Sequence, residues 1–467
     1  MKGRGVSACC ATATSMDSIA QPHDHCWTLP GVSSARITIG ARLQSDAAQD
    51  PVPGTLPAQS DSRRSSATHR LLGIRVKLLF WSFFIAIFWC YAGYPLAMRM
   101  LAAARSVPLL RTRPTASPRV SVVLAVRNGA AHLNRRLENL LQQDHPGELL
   151  EILVVCNGCS DASVALADAA ARADSRIRVL VTPVEQGKAG ALNLGAEHAT
   201  GEFILFADVR QAFAPDVIRR LLEPFADPRV GAASGRLEIQ RADRPAVEGM
   251  RLYWGFETQL RLAESRTGSA VGATGAVYMI RRECFEPIPA NLILDDVWLP
   301  MRIAMQGYRV LLVTEAVAYD TPSVTPAQEY ARKRRTMVGN LQLVRALPSV
   351  LHPLRNPLWV RFLSHKLLRV VSPFLFVGTV ISSALVPELP YQAYYLVGVA
   401  TYLLGGLGLV LPLPFLSVAS AFVLMHLAIF SAVRRFREDA SSVWTAPAGA
   451  MVVDGVALAL EPTTNGE

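Results

Sequence analysis

RVSVVLAVRNGAAHLNRRLENLLQQDHPGELLEILVVCN, residues 119–157, holds two apolar runs, Val120–Val126 and Glu151–Cys156, on either side of a stretch with helical periodicity. Runs of this length, rich in β-branched residues, read as strands buried on both faces. Between them Leu133, Leu137, Leu140 and Leu141 recur at helical spacing. A helix over about Ala130 to Gln143 therefore turns one apolar face to the strands. Strand, helix and strand in succession make a parallel βαβ unit. Ile177–Val181 and Phe203–Phe206 repeat the pattern outward, and the alternation continues to Val313. The expected fold over residues 119–348 is α/β with a mostly parallel central sheet, whose ligands gather beyond the carboxyl ends of the strands.

On both sides of this region the composition changes. Residues 1–68 mix Ser, Ala, Pro, Gly and Asp without periodicity and are expected to lack a packed core. LLFWSFFIAIFWCYAGYPLAM follows, inside an apolar segment over residues 76–101 that is long enough to cross a bilayer. After the soluble region, residues 353–369 interleave basic and apolar residues around Trp359–Arg369, as an interfacial helix does. Residues 370–433 hold three further apolar stretches, Val370–Val386, Ala393–Leu411 and Leu413–Val433, for two or three spans. Pro373 and the Gly405-Gly406 pair are possible kinks in them. A tail of 434–467 closes the chain. Three C-terminal spans would put Arg434, Arg435 and Arg437 on the side that the positive-inside rule disfavours, so either one late segment lies in the interface or re-enters, or the rule is overridden here.

The formal charge of +10 sits beside apolar segments and in one later helix, which favours anionic lipid and phosphorylated substrates as partners and argues against nucleic acid. Seven scattered cysteines make no disulfide framework, so a reducing cytoplasmic setting is expected. Cys156-Asn157-Gly158-Cys159 has redox spacing but lacks a supporting Trp or Pro, and reads as two packed side chains.

Several polar residues punctuate the strand ends. Ala125 lies in the first strand-end loop, and Asn157 and Asp161 in the second, where they can meet a nucleotide or serve as turn and capping residues. Gly187-Lys188-Ala189-Gly190-Ala191-Leu192-Asn193 opens a helix with a cation, Lys188, and an amide, Asn193, where backbone N–H groups already favour anions. Asp208 ends the run Phe203–Ala207. There it can meet a phosphate-bound divalent ion or cap the strand. Asp295-Asp296 heads an apolar helix, placing at least one carboxylate for base chemistry or for capping. Arg332 and Arg335, at i,i+3, form a basic face suited to a diphosphate or to lipid.

Taken in order, YAGYPL at Tyr91–Leu96, GKAGALN, Asp208, the loop Gly272-Ala273-Thr274-Gly275-Ala276, Asp295-Asp296 and RKRRTMVGNLQ at Arg332–Gln342 resemble the membrane-bound family-2 glycosyltransferases. This is the inverting group that includes cellulose, hyaluronan and poly-N-acetylglucosamine synthases. The resemblance implies a glycosyltransferase A fold with transmembrane helices. It also implies Asp296 as the base, with Asp295 beside it. Donor contacts would come from Ala125, Asn157, Asp161, Lys188, Asn193, Asp208, Arg210, Arg332 and Arg335. Gly272, Thr274 and Gly275 would underlie the acceptor, and Asp208 would bind Mg2+ or Mn2+. The sequence departs from the family at three places: Arg210 replaces the second acid of D-x-D, Asn157 replaces an acidic nucleotide contact, and Glu329 and Lys333 replace the Gln and Trp of Q-x-x-R-W.

The function expected is sugar transfer with inversion from a nucleotide-diphospho-sugar donor to a glycan or lipid-linked acceptor, in cell-surface polysaccharide synthesis. The expected setting is a bacterial plasma membrane with the catalytic domain cytoplasmic, and synthase-complex subunits are possible partners. Two alternatives stand beside it: a catalytically weak nucleotide- or glycan-binding subunit of a synthase complex, and a single-sugar transferase to polyprenyl phosphate.

Overall fold

The computed structural model describes residues 59–110, 117–240, 245–321, 326–411, 413, 416–434, 436, 452–453 and 456–457. The described residues from Ser62 onward belong to one unit, which holds the sheet and the apolar helices. The expectation for residues 1–58 and for most of the tail, Arg435 and Arg437 included, lies outside the described residues.

In chain order, α1 (Gln59–Phe88) runs through a π turn at Trp89–Gly93 into α2 (Tyr94–Ala104). The α/β region follows with β1 (Val120–Val126), α3 (Ala130–Leu141), β2 (Leu150–Asn157), α4 (Ser163–Ala173), β3 (Ile177–Thr182), α5 (Gly187–His198) and β4 (Phe203–Asp208). Next come β5 (Ala212–Phe213), α6 (Val217–Leu222), β6 (Val230–Ile239), α7 (Pro245–Arg266), β7 (Val277–Arg281), α8 (Asp295–Met305), β8 (Arg309–Asp320) and α9 (Pro326–Ala346). Last are α10 (Trp359–Phe362), a second π turn at Leu363–Leu367, α11 (Leu368–Ala384), α12 (Leu389–Val410) and α13 (Ser417–Arg434).

All eight strands from β1 to β8 join one sheet in the order β3-β2-β1-β4-β7-β6-β8-β5. The pairs β3/β2, β2/β1, β1/β4 and β6/β8 are parallel, while β7 and β5 run against their neighbours. The mostly parallel α/β sheet expected from the sequence is present. Its antiparallel insertion at β7 was not read, because β6, VGAASGRLEI, is built from small residues and carries no long β-branched run. Alternate side chains of each strand feed two cores. Val123, Leu153, Val155, Ile204 and Phe206 pack under α5 and α8. Val122, Leu124, Ile152, Val154 and Leu205 pack against α3, through Leu133, Leu137 and Leu140. Each of these three leucines is at most 2% exposed, and burying one contributes roughly 1.5–3 kcal/mol.

The chain steps from β1 out to β2 and β3, then returns to β4 on the other flank of β1. At that reversal Ala125 of β1 pairs with Asp208 of β4. A crevice at such a reversal is where an open α/β sheet takes its ligand.

Among the described residues, three helical stretches are long and apolar enough to cross a membrane: Arg70–Ala104, Trp359–Ala384 and Leu389–Val410. The first extends the expected 76–101 segment at both ends, and α1 begins inside the stretch expected to be unstructured. Trp359–Arg369 does not form a separate interfacial helix. It runs on into α11, because its basic residues turn inward: Arg361, His365 and Arg369 bond to α7 and the loop after it. The last apolar stretch, Val418–Arg434, falls short of spanning length and α13 packs along α12 and α9. Gly405 lies within α12 against Ala419 and Val423 of α13, so it serves close helix packing.

Candidate active site

Lys188 sits in the first turn of α5, entered through Gly187 at φ +70°, a left-handed conformation that glycine adopts without strain. Its ammonium lies 3.2 Å from Asp208 Oδ1 and 3.2 Å from Asp295 Oδ1. One lysine therefore joins the end of β4 to the head of α8, and the two acidic signatures share a cleft. At such a distance each attraction amounts to about 5 kcal/mol before desolvation, taking an effective dielectric near 20. Burial works against the charge of Lys188, but Asp208, Asp295 and Asp296 outweigh it and hold the ammonium firmly protonated.

Asp295 and Asp296 have separate environments. Asp295 is 2% exposed, and its Oδ2 accepts the Tyr278 hydroxyl at 3.0 Å. Burial pushes its carboxyl up to about 6, opposed by Lys188 and reinforced by Asp296 and Asp208. Asp296 is half-exposed, and its carboxylate faces Gly275: a Cβ on that glycine would stand 2.9 Å from Asp296 Oδ2. The backbone carbonyl of Asp296 accepts the Ala273 amide at 2.7 Å, which ties the 272–276 loop to α8. Asp296 is thus the accessible acid, and Asp295 holds the lysine.

The other expected site residues divide into those at the cleft and those beneath it. Ala125 stands at the strand end beside Asp208, and Arg210 is exposed two residues beyond it. Asn157 is fully buried. Its Nδ2 donates to the Gly187 carbonyl at 2.9 Å, and its Oδ1 accepts from Thr182 Oγ1 at 3.0 Å and the Gln186 amide at 2.9 Å. Held by these three bonds, Asn157 shapes the entrance to α5. Asp161 accepts the amides of Ala130 and Ser163, each at 3.0 Å, so it caps α3 and α4. Asn193 exchanges two hydrogen bonds of 2.8 Å with the Ile288 backbone, pinning the segment that leads to Asp295.

In the expected acceptor loop, Thr274 is 4% exposed. Its amide donates to Ser234 Oγ at 2.7 Å and its hydroxyl accepts from Arg261 at 3.3 Å. Gly272 is buried against Asp296 and Val297. Only Gly275 of the three reaches the surface beside the acid; the others set the shape of the loop. Arg332 is half-exposed and Arg335 exposed on α9, whose Gln342 accepts the Ile293 amide at 3.3 Å just ahead of Asp295.

Among the described residues no group of three or more His, Cys, Asp or Glu is placed to hold a metal. Asp208 is one carboxylate, already paired with Lys188, whereas Mg2+ or Mn2+ takes about six oxygens. This donor set fits a divalent ion only if the ion arrives with a diphosphate that supplies most of its ligands. The Cys156–Cys159 pair behaves as packing: burial raises the Cys156 thiol to about 12, and Cys159 Sγ lies 3.4 Å from the Val126 carbonyl. Sequence reasoning missed Tyr278, Ser234 and Arg261. A tyrosine inside the apolar strand VYMIR and charges at Glu257, Arg261 and Glu264, spaced for one face of α7, were the available signals.

The model of the family described as Glycosyl transferase family 2 matches residues 121–288, ending just before Asp295. An N-acetylglucosaminyltransferase of Rhizobium leguminosarum bv. viciae is 28% identical over 261 residues, covering 52% of this chain and 60% of that protein. The succinoglycan biosynthesis protein ExoO of Rhizobium meliloti is 32% identical over 143 residues, covering 31% of this chain and 38% of that protein. This chain therefore matches less than two thirds of the length of either relative. In fold it is similar to the mannosyltransferase PcManGT from Pyrobaculum calidifontis, solved with GDP-Man and Mn2+, with TM-score 0.58, 23% identity and coverage of 78% of this chain and 99% of that one. Residues 121–288 match a glycosyltransferase family 2 domain and lie on a glycosyltransferase A-like sheet.

Proposed function

We propose that this protein is an inverting glycosyltransferase that moves a sugar from a nucleotide-diphosphate donor to a glycan or lipid-linked acceptor at a membrane face. The observation that carries the proposal is the Lys188 bridge, which sets Asp208 and the Asp295-Asp296 pair around one cleft at the sheet's reversal point. Asp296, half-exposed beside Gly275, takes the proton of the acceptor hydroxyl. That oxygen attacks the anomeric carbon on the face opposite the diphosphate, through an oxocarbenium-like state, and the configuration inverts. Lys188 lends its charge to the leaving diphosphate, with Arg332 and Arg335 on the basic face of α9 as further cations. A donor-borne Mg2+ or Mn2+ would add charge neutralisation there, with Asp208 as its protein ligand.

The relatives named N-acetylglucosaminyltransferase and ExoO favour an N-acetylhexosamine or hexose donor and a role in surface polysaccharide synthesis. If the three candidate spans among the described residues all cross, the α/β domain and Arg434 share a side, which supports a cytoplasmic domain by the positive-inside rule. The test is to incubate membranes containing the protein with a panel of labelled nucleotide sugars and size the products. At least one donor is expected to be consumed by wild type and spared by Asp208→Asn. Equal background consumption by both points to the weak binding subunit, and a single sugar on lipid points to a polyprenyl-phosphate transferase.

A further inference from the structure

Tyr94, in the YAGYP segment at the end of the first apolar stretch, points its hydroxyl at Glu264 of α7, 2.6 Å from Oε1. The same oxygen lies 2.9 Å from Nδ1 of His365, whose Nε2 lies 2.9 Å from Glu257 Oε1. Glu257 Oε1 also accepts from Arg261 Nε at 2.9 Å, and its Oε2 accepts from Arg369 at 2.8 Å. Arg261 then donates its Nη1 to the Ala273 carbonyl at 3.2 Å and to Thr274 Oγ1 at 3.3 Å, inside the loop beside Asp296. A continuous polar chain therefore runs from two membrane-type helices, through α7, to the acceptor loop. Its members Glu257, Glu264 and His365 are each at most 2% exposed.

The two π turns that interrupt the apolar helices lie on this chain. His365 occupies one, and Tyr94 follows the other directly; they touch through Trp89 Nε1, which donates to Ser364 Oγ at 3.0 Å. A π turn shifts the helix register and re-aims a side chain, and such turns concentrate at functional positions. Arg361, one turn before His365, closes the C-terminal end of α7 by donating to the carbonyls of Glu264, Thr267 and Ser269 at 2.6–2.9 Å. On the donor side the contacts are different: Asn157 and Gln186 are held at the sheet's edge, Asn193 by the segment at Ile288, and Lys188 by Asp208 and by Asp295 at the head of α8. Burying this many charges costs desolvation energy, which an apolar contact of the same shape would avoid. The cost is offset only where each charge is matched, and what it yields is a fixed geometry.

We propose that the acceptor half of the site is positioned from the membrane side, by the Tyr94–Glu264–His365–Glu257–Arg261 chain acting on residues 272–276, while the donor half is set by the sheet, the Ile288 segment and the head of α8, without direct contact from that chain. This rests on the transferase reading, and it makes Arg261 and His365 positioning residues. Helix rearrangement in the membrane then changes acceptor engagement without changing nucleotide affinity.

The variants are Arg261→Gln, which leaves Glu257 with His365 and Arg369, and His365→Gln, which removes the link between the two glutamates. Amide hydrogen exchange in the full-length protein in lipid nanodiscs is compared at residues 271–276 and at 187–193. Transfer is measured alongside, as acceptor KM and as the ratio of transfer to donor hydrolysis. The expected result is exchange at least tenfold faster in 271–276 and unchanged in 187–193, with acceptor KM up by about tenfold and nucleoside-diphosphate affinity within twofold of wild type. Unchanged exchange in 271–276 in both variants overturns the proposal, even if the enzyme is active. Equal acceleration in both segments overturns it too, since that is general loosening. Wild-type protein that consumes no nucleotide sugar sinks the transferase reading, while the exchange comparison still decides the positioning claim.

Discussion

Gly275→Ala is the sharpest single-atom test of the proposed base. The added Cβ would meet Asp296 Oδ2 at 2.9 Å, Cγ at 3.3 Å and Cβ at 3.4 Å. Ordinary carbon–oxygen contact begins near 3.4 Å, so the carboxylate must retreat by about 0.5 Å. Gly275 is not among the glycines with positive φ, so the substitution brings no backbone strain and acts through this contact. Misplacing a catalytic group by about 1 Å can cost about 100-fold in rate, so half that displacement predicts a fall in kcat of roughly tenfold, or about 1.4 kcal/mol in the barrier. Asp296 is half-exposed and has room to rotate, so the melting temperature is expected to stay within about 2 °C of wild type. Steady-state transfer with the best donor, together with thermal unfolding in detergent, measures both quantities. Wild-type kcat with Ala at this position would refute the assignment of Asp296 as a base whose position matters; a large loss of stability would refute the local reading of the contact.

Asp295→Asn is expected to lower turnover at least tenfold while leaving the melting temperature at pH 7.5 unchanged or higher. The folded-state carboxyl stands near 6, above the ordinary carboxylate range, so its stabilising contribution is complete below that range and is lost as pH rises through about 6; a drop of more than about 5 °C contradicts this. By the same shift, wild-type transfer should decline as pH falls below about 6, where protonated Asp295 releases Lys188, and a flat rate from pH 7.5 to 5 contradicts it. Arg210→Ala should weaken nucleoside-diphosphate affinity several-fold, since Arg210 is an exposed cation two residues past Asp208; undiminished affinity and turnover remove it from the site. Chelation by EDTA should cut turnover at least tenfold, with Mn2+ or Mg2+ restoring it, if the donor brings its own ion to Asp208; insensitivity to EDTA leaves Lys188 and the arginines as the only counter-charge.

The strands β1, β2 and β4 were legible because each is an apolar run buried on both faces, β3 because its β-branched run persists at a partly exposed sheet edge, and α3 because its leucines keep helical period. β6 was not, since alanine and glycine carry little strand signal, and the antiparallel placement of β7 follows from tertiary pairing. Lys188, Asp208 and Asp296 were singled out by position at element ends, where backbone geometry limits what a polar residue can face, and the structure places them around one cleft. Asn157, Asp161, Asn193 and Thr274, expected as ligand contacts, each bond to neighbouring backbone or side chains, because residues that cap helices and pin loops near a site have the same chemistry as residues that touch a ligand. The distinction lies in burial and in the partner of each polar atom, which a one-dimensional pattern does not contain. The polar chain through His365 joins residues 271 positions apart, Tyr94 to His365, through α7, and only its ingredients, charges in apolar helices, were visible.

The central claim is that the Asp296 carboxylate activates an acceptor against a diphosphate held near Lys188 and Asp208. Asp296→Asn in membranes, assayed for both nucleoside-diphosphate affinity and sugar transfer, tests it most directly. The account predicts transfer lowered by about 100- to 10,000-fold with affinity within about twofold of wild type. Transfer near the wild-type rate, or a loss of nucleotide binding equal to the loss of transfer, would contradict it.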